Sequence, residues 1–192
     1  MNNCKNILYR VLFFFLIIIS TISLSGCGVT DFITKKSITL PCPDFRILAD
    51  ASILTKFRPG PGRDLTDVDH NAKIENARIS CISDIDEESF VGTMDVDVEV
   101  MFSVERGPVN RNRLAKLPYF ISVIDAKKNI LYRETFNILV KFLGNRSRMS
   151  VMTEPIILEI PIKKGVSGRD FLIYIGMQLT EEELRFVRER GD

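Results

Sequence analysis

Tryptophan is absent from this 192-residue chain, and histidine occurs once, at His70. The missing tryptophan removes the Cys-Trp-Cys pin around which antibody-type domains are built. A single histidine leaves a Ser-His or Cys-His nucleophilic site only one base to use, and a zinc centre only one imidazole. Cysteine is sparse, at four residues. An excess of one charge is lacking too, since 26 basic residues face 25 acidic ones. With no global basic field, nucleic acid is excluded as an expected partner. There is no internal repeat, no low-complexity tract and no motif for a catalytic centre or a cofactor. Beyond the N-terminus, no apolar run approaches the ~20 residues that a spanning helix needs.

What the chain does have begins at its N-terminus. Lys5 and Arg10 are positive, Val11 to Ile19 is unbroken apolar, and Thr21, Ser23, Ser25 and Gly26 bring in small residues. That is the three-part shape of a secretory signal peptide. The next residues, Leu24-Ser25-Gly26-Cys27, resemble the lipobox of bacterial lipoproteins. The resemblance implies diacylglycerol on the Cys27 thiol, cleavage before Cys27, and acylation of the new N-terminus, with palmitate the expected chain. Each buried methylene contributes ~0.8 kcal/mol, so two or three chains on one residue hold a protein stably at a membrane. An ordinary cleaved signal peptide, or an uncleaved anchor, is the alternative. In enterobacterial lipoproteins an Asp after the Cys favours the inner membrane; Gly28 stands there and points to the outer membrane, facing the periplasm.

Three segments follow from this reading: a signal peptide at 1–26, a lipid-anchored tether at 27–40 and a folded domain at 41–192. The chain after the leader, about 166 residues, suits one domain with a real core. Losing Lys5 and Arg10 with the leader turns the formal charge of +1 into about −1. Of the four cysteines, Cys4 leaves with the leader and Cys27 is lipidated. Cys42 and Cys81 remain as an even pair in an oxidising compartment, and a disulfide between them is expected. Two separate buried thiols are the alternative, and no metal site is expected.

Strand patterning dominates the rest. Phe45 to Ala49 reads as a short strand, Asp50 to Phe57 as a loop or helical turn, and Arg58 to Asp64, with two prolines and two glycines, as a break. Val68 to Ile82 alternates with one slip of parity near Glu75-Asn76, which a β-bulge would repair. Met94, Val96, Val98, Val100, Phe102 and Val104 alternate with Thr93, Asp95, Asp97, Glu99 and Ser103, the signature of a strand with one buried and one wet face. The two long segments around the acidic turn read as a hairpin. Further strands are expected at Tyr119 to Ile124, Ile130 to Leu143, Ser150 to Ile162 and Phe171 to Leu179, with a helical turn at Asn112 to Leu117. Pro155 and Pro161 put the Ser150–Ile162 segment at an edge or a bend. Thr180 followed by Glu181, Glu182 and Glu183 is a capping box opening a short C-terminal helix with Leu184 and Val187 on its apolar stripe. The sum is a mainly β, antiparallel two-sheet sandwich of the immunoglobulin-like class, with a β-barrel as the alternative.

The runs Ile47-Leu48-Ala49-Asp50-Ala51 and Leu54 to Asp67, with Arg106-Gly107-Pro108, Leu117-Pro118-Tyr119-Phe120 and Gln178-Leu179-Thr180, resemble an uncharacterised family of alphaproteobacterial envelope proteins. The resemblance implies an envelope location and brings no activity with it.

Few constellations carry chemistry. Arg58, Gly60, Gly62 and Arg63 form a candidate anion- or ligand-binding loop, because glycines expose N–H groups and two guanidiniums can fork a phosphate or carboxylate. Pairing of these arginines with Asp64 or Asp67 is the plainer alternative. Arg106, Arg111, Arg113 and Lys116, then Arg146 and Arg148, are basic stretches suited to anionic headgroups or simply to solvent. Asp84, Asp86, Glu87 and Glu88 offer oxygens but match no EF-hand spacing. His70 shares a face with Val68 and Ala72, as a packed strand histidine does. The expectation is a non-enzymatic, lipid-anchored envelope protein without a cofactor that binds another envelope protein. A small-ligand or glycan-binding lipoprotein using the Arg58–Arg63 loop is the second reading.

Overall fold

A computed structural model describes residues 38–190. The signal segment 1–26, Cys27, most of the tether and Gly191 lie outside the described residues. Ile38 and Leu40 already pack against the core, ahead of Pro41.

Two sheets form the domain. The first has the spatial order β1 (Asp44–Ile47), β9 (Phe171–Met177), β5 (Leu114–Asp125), β6 (Ile130–Lys141). The second runs β2 (Ile53–Phe57), β3 (Val68–Ile85), β4 (Gly92–Arg106), with β7 (Arg148–Met152) and β8 (Ile156–Ile162) sharing the far side of β4. The chain changes sheet after β1, after β4, after β6 and after β8. As a result β8 lies beside β4 in one sheet while β9 lies beside β5 in the other. This interlocked Greek-key crossing is the immunoglobulin-like sandwich. One pair departs from the antiparallel rule: β1 runs parallel to β9.

The strongest alternation in the sequence builds the centre of the core. Met94, Val96, Val98, Val100, Phe102 and Val104 are all buried on β4, each stabilising the fold by about 1.5–3 kcal/mol. Phe102 meets Tyr119 of β5 edge-on at 5.2 Å, joining the two sheets, and Tyr119 stacks on Phe136 of β6 at 5.5 Å. The parity slip in β3 is a bulge: pairing with β4 shifts register between Ile74 and Asn76. Ile74 and Ala77 both stay inward as a result. Cys42 and Cys81 are disulfide-bonded with Cα atoms 5.8 Å apart. The bond links the segment entering β1, in the first sheet, to β3 in the second.

Some expectations need correction. The segment Asp50 to Phe57 is a 3-10 turn at Ala49–Ala51 followed by strand β2, so the disulfide reaches the third strand. No helical turn forms at Asn112 to Leu117, because Arg113 takes φ 59° and β5 starts at Leu114. The Ser150 to Ile162 segment is two strands. Between them Thr153 bends the chain yet keeps Val100 paired: its N–H donates to the Val100 carbonyl and its Oγ1 accepts from the Val100 N–H, both at 3.0 Å.

The C-terminal helix α1 (Glu181–Arg190) is capped as the sequence implies: the Glu183 N–H donates to Thr180 Oγ1 at 3.2 Å, and the Thr180 N–H donates to Glu183 Oε2 at 2.9 Å. It packs on β2 through Val187 and through Phe186, whose ring meets Phe57 edge-on at 4.9 Å. Among the described residues no helix is long and apolar enough to cross a membrane.

Candidate functional site

The Pro-Gly loop connects β2 to β3 and folds back against α1. Its two arginines do not converge. Arg58 Nη2 lies 2.5 Å from Asp67 Oδ1, a carboxylate that is only 5% exposed. The approach is off-line for a hydrogen bond, so this oxygen has a counter-charge but no proton donor. Arg63 turns the other way. It lies 2.5 Å from Glu182 Oε1 on α1, donates to the carbonyls of Gly60 and Gly62 at 2.7 and 2.6 Å, and covers the Phe57 ring at 5.4 Å. Gly60 takes φ 128° in open space, while a Cβ on Gly62 would fall on the Asp67 carboxylate. Asp64 caps the 3-10 turn Leu65–Asp67 through Thr66, whose side-chain and backbone hydrogen bonds hold its carboxyl below the usual range.

Between this loop, β2 and α1 runs an open groove of about 460 Å³, lined by Lys56, Phe57, Arg63, Glu182, Glu183 and Phe186 among others. Lys56 Nζ reaches Glu183 at 2.8 Å. Burial pushes the Glu183 carboxyl up, but Lys56 and the Thr180 cap outweigh it and leave it below its ordinary value. Lys56 and Arg63 are thus paired with the groove's own carboxylates Glu183 and Glu182, and of the four loop residues Arg63 alone lines it.

His70 is buried at 4% exposure. Its Nδ1 is 2.7 Å from Asp69 Oδ2 and its Nε2 is 3.3 Å from the Lys116 carbonyl. Both ring nitrogens are engaged, and they tie β3 to β5 across the sandwich. Lys116 lies past the end of the β9 pairing, which stops at Tyr119. The carbonyls left over on that side of β5 are collected one by one: Pro118 by the Gln178 N–H at 2.9 Å, Lys116 by His70, and Leu114 by Asn110 Nδ2 at 2.8 Å. Pro118 fits in a central strand because its missing N–H falls where β9 ends. The acidic turn also serves itself. Asp86 Oδ1 accepts from the N–H groups of Glu88 and Ser89 at 3.2 and 2.9 Å.

A long run of outward-facing backbone lies along β6. Gln178 donating to Pro118 shows that even-numbered residues of β5 face β9, so odd-numbered ones face β6. Their partners on β6, such as Glu134 opposite Ile121 and Phe136 opposite Tyr119, are even-numbered. The N–H and C=O groups of Arg133, Thr135, Asn137, Leu139 and Lys141 consequently point away from the sheet, where no strand follows among the described residues; Leu131 lies in the register shift of the β5–β6 pairing. Natural edges are usually short, covered or interrupted by proline. The end strands elsewhere are short, covered or broken, although β3 beyond Lys73, where β2 stops, is a second stretch with a pairing strand on its β4 side alone among the described residues. β1 has four residues and sits behind Pro41 and Pro43. β2 has five and carries α1. β7 and β8 are broken at Thr153 and contain Pro161. β6 is 12 residues long, has no proline, and exposes Ile130, Leu131 and Leu139. Its aromatic and charged side chains support the strand itself. Arg133 covers the Phe120 ring at 4.0 Å, and the Tyr132 hydroxyl donates to Glu134. Burial, with Glu134 beside it, pushes the Tyr132 hydroxyl up to about 12.

No family model, no curated protein and no solved structure matches the chain. The sequence did not single out β6, since its odd-numbered residues are a mix of polar and apolar types. The missing prolines along twelve residues were the one available signal.

Proposed function

We propose that this is a lipid-anchored, non-enzymatic envelope protein that binds another envelope protein by accepting one of its strands along β6. The open main-chain edge of β6 is the observation that carries the reading. A partner strand laid there would gain main-chain hydrogen bonds for affinity, and Leu131 and Leu139 would give it apolar contacts on the outer face of the sheet. Anchoring rests on the lipobox at Leu24 to Cys27, with attachment at Cys27 and an outer-membrane, periplasm-facing location. The Cys42–Cys81 disulfide supports an oxidising compartment. The engaged ring of His70 supports a structural histidine over a base.

The test is site-specific photocrosslinking in the native cell. A photoreactive residue at Thr135 should capture one envelope protein, identified by mass spectrometry. One at Asp97, on the outer face of β4, should not. Capture should vanish with Asn137→Pro, which removes an outward N–H from β6, and with Cys27→Ser, which removes the anchor. Equal capture from Asp97, or capture that survives Asn137→Pro, refutes binding at β6.

A small ligand or glycan held by Arg58, Gly60, Gly62 and Arg63 has weaker support. An anion there would first have to displace Asp67 and Glu182 from the two guanidiniums.

A further inference from the structure

We infer that the β4–β5 loop is a binding site for phosphate-bearing anions, held by Arg106, Arg111 and Arg113. These side chains line one open basin of about 600 Å³ together with Glu105, Gly107, Asn110 and Ser147. Elsewhere five exposed arginines are committed to carboxylates: Arg58 to Asp67, Arg63 to Glu182, Arg78 to Glu99, Arg148 to Glu105 and Arg188 to Asp50. Among the described residues, Arg106, Arg111 and Arg113 have no such partner. The two carboxylates close to them are already occupied. Glu105 is held by Arg148 at 3.0 Å. Asp69, beneath the loop, accepts from Asn110 at 3.1 Å and lies 2.7 Å from His70.

The loop that presents these arginines is fixed in shape. Gly107 donates to the Asp69 carbonyl at 2.8 Å, and a Cβ on it would fall on the Val68 carbonyl. Arg106 donates through its backbone to the Ser147 carbonyl at 2.7 Å. Asn110 is buried and knots the turn: its Oδ1 accepts from the Arg113 N–H at 2.9 Å, and its Nδ2 donates to Asp69 and to Leu114. Arg113 is held at φ 59°, a left-handed conformation that costs a non-glycine residue energy. Phe142 then donates to the Arg113 carbonyl at 2.9 Å. Three unpaired guanidiniums on a frame this fixed spend little order on binding. Their planar forks match the oxygens of a phosphomonoester or pyrophosphate.

The same chemistry comes from a soluble phosphate or from a lipid headgroup, and two arms separate these sources. In the first, full-length protein in detergent is titrated with pyrophosphate by calorimetry. In the second, amide exchange over residues 106–113 is compared in nanodiscs of phosphatidic acid and of phosphatidylcholine. Saturable binding in the first arm alone assigns a soluble ligand, and protection in phosphatidic acid assigns a headgroup. Either supports the site. Replacing each arginine should weaken binding about tenfold, the loss expected for one charge-assisted bond. The variants are Arg106→Gln, Arg111→Gln and Arg113→Asn, the last chosen because asparagine tolerates the left-handed backbone. Arg46→Gln and Arg169→Gln serve as charge-matched controls far along the sequence. Neither binding nor protection in either arm, or equal weakening by the controls, overturns the proposal. Because it does not involve β6, its failure leaves strand addition untouched.

Discussion

Two proline substitutions three residues apart on β6 should differ sharply in cost. Glu134 and Asn137 are both exposed, so neither change empties the core. Glu134 faces β5 and sits opposite Ile121, which is fully buried. Proline at 134 removes a ladder donor and strands the Ile121 carbonyl, a loss of about 2–3 kcal/mol once ring crowding is added to the lost bond. Asn137 points its N–H outward and sits opposite Pro118. Proline at 137 breaks no internal bond and trims the freedom of the unfolded chain, so its net effect should stay within about 1 kcal/mol. For a domain of this size the first loss lowers the melting temperature by roughly 4–12 °C, and the second by at most a few degrees. Thermal unfolding of the oxidised protein followed by far-UV circular dichroism measures both. Equal destabilisation would show that the outer side of β6 is paired in the native protein, and the case for strand addition would fall with it.

Other outcomes follow from the same structure. Gly62→Ala forces the buried Asp67 carboxylate aside and should cost about 1–3 kcal/mol by denaturant melt, whereas Gly144→Ala, in open space at φ 57°, should show backbone strain alone. Glu183 is held below its ordinary value of 4.5, so its contribution is fully present above that pH and is lost as pH falls through the lowered folded value. Glu183→Gln should flatten the acid limb of the stability curve below about pH 4.5; an unchanged limb would remove Glu183 as a cause. Reducing the Cys42–Cys81 bond frees a loop spanning a sequence separation of 39, and the chain-entropy account gives a loss of about 4 kcal/mol. A melt that dithiothreitol leaves unmoved would contradict it.

Residues with a strong local period were legible in advance. The β4 alternation, the parity slip in β3 and the Thr180–Glu183 box each encode their geometry within a few residues, and each formed. Elements defined by distant partners were not legible. β2 has five residues, with no alternation of its own, and exists because β3 pairs it on one side and α1 covers it. Thr153 reads as one more strand residue until Val100 is opposite it. The helical pattern at 112–117 lost to β5 pairing and to the Asn110 knot, which sets the backbone of Arg113. Phe186 gives no signal in the sequence, because a lone aromatic on a charged helix shows no stripe without Phe57 opposite it. Of the candidate loop, the sequence correctly offered Asp67 as a partner for Arg58. It had no means of showing that Arg63 would find Glu182, a residue 119 positions away.

The disulfide has a mechanical consequence. Cys42 precedes β1, so a pull applied on its N-terminal side reaches the sulfur bridge before it reaches any strand. The load passes to Cys81 in the C-terminal half of β3, the longest strand, where Val96 of β4 pairs it. β1 is thereby shielded from being peeled off β9. In the reduced protein the same force would shear the short parallel β1–β9 pairing first and open the sheet from that end.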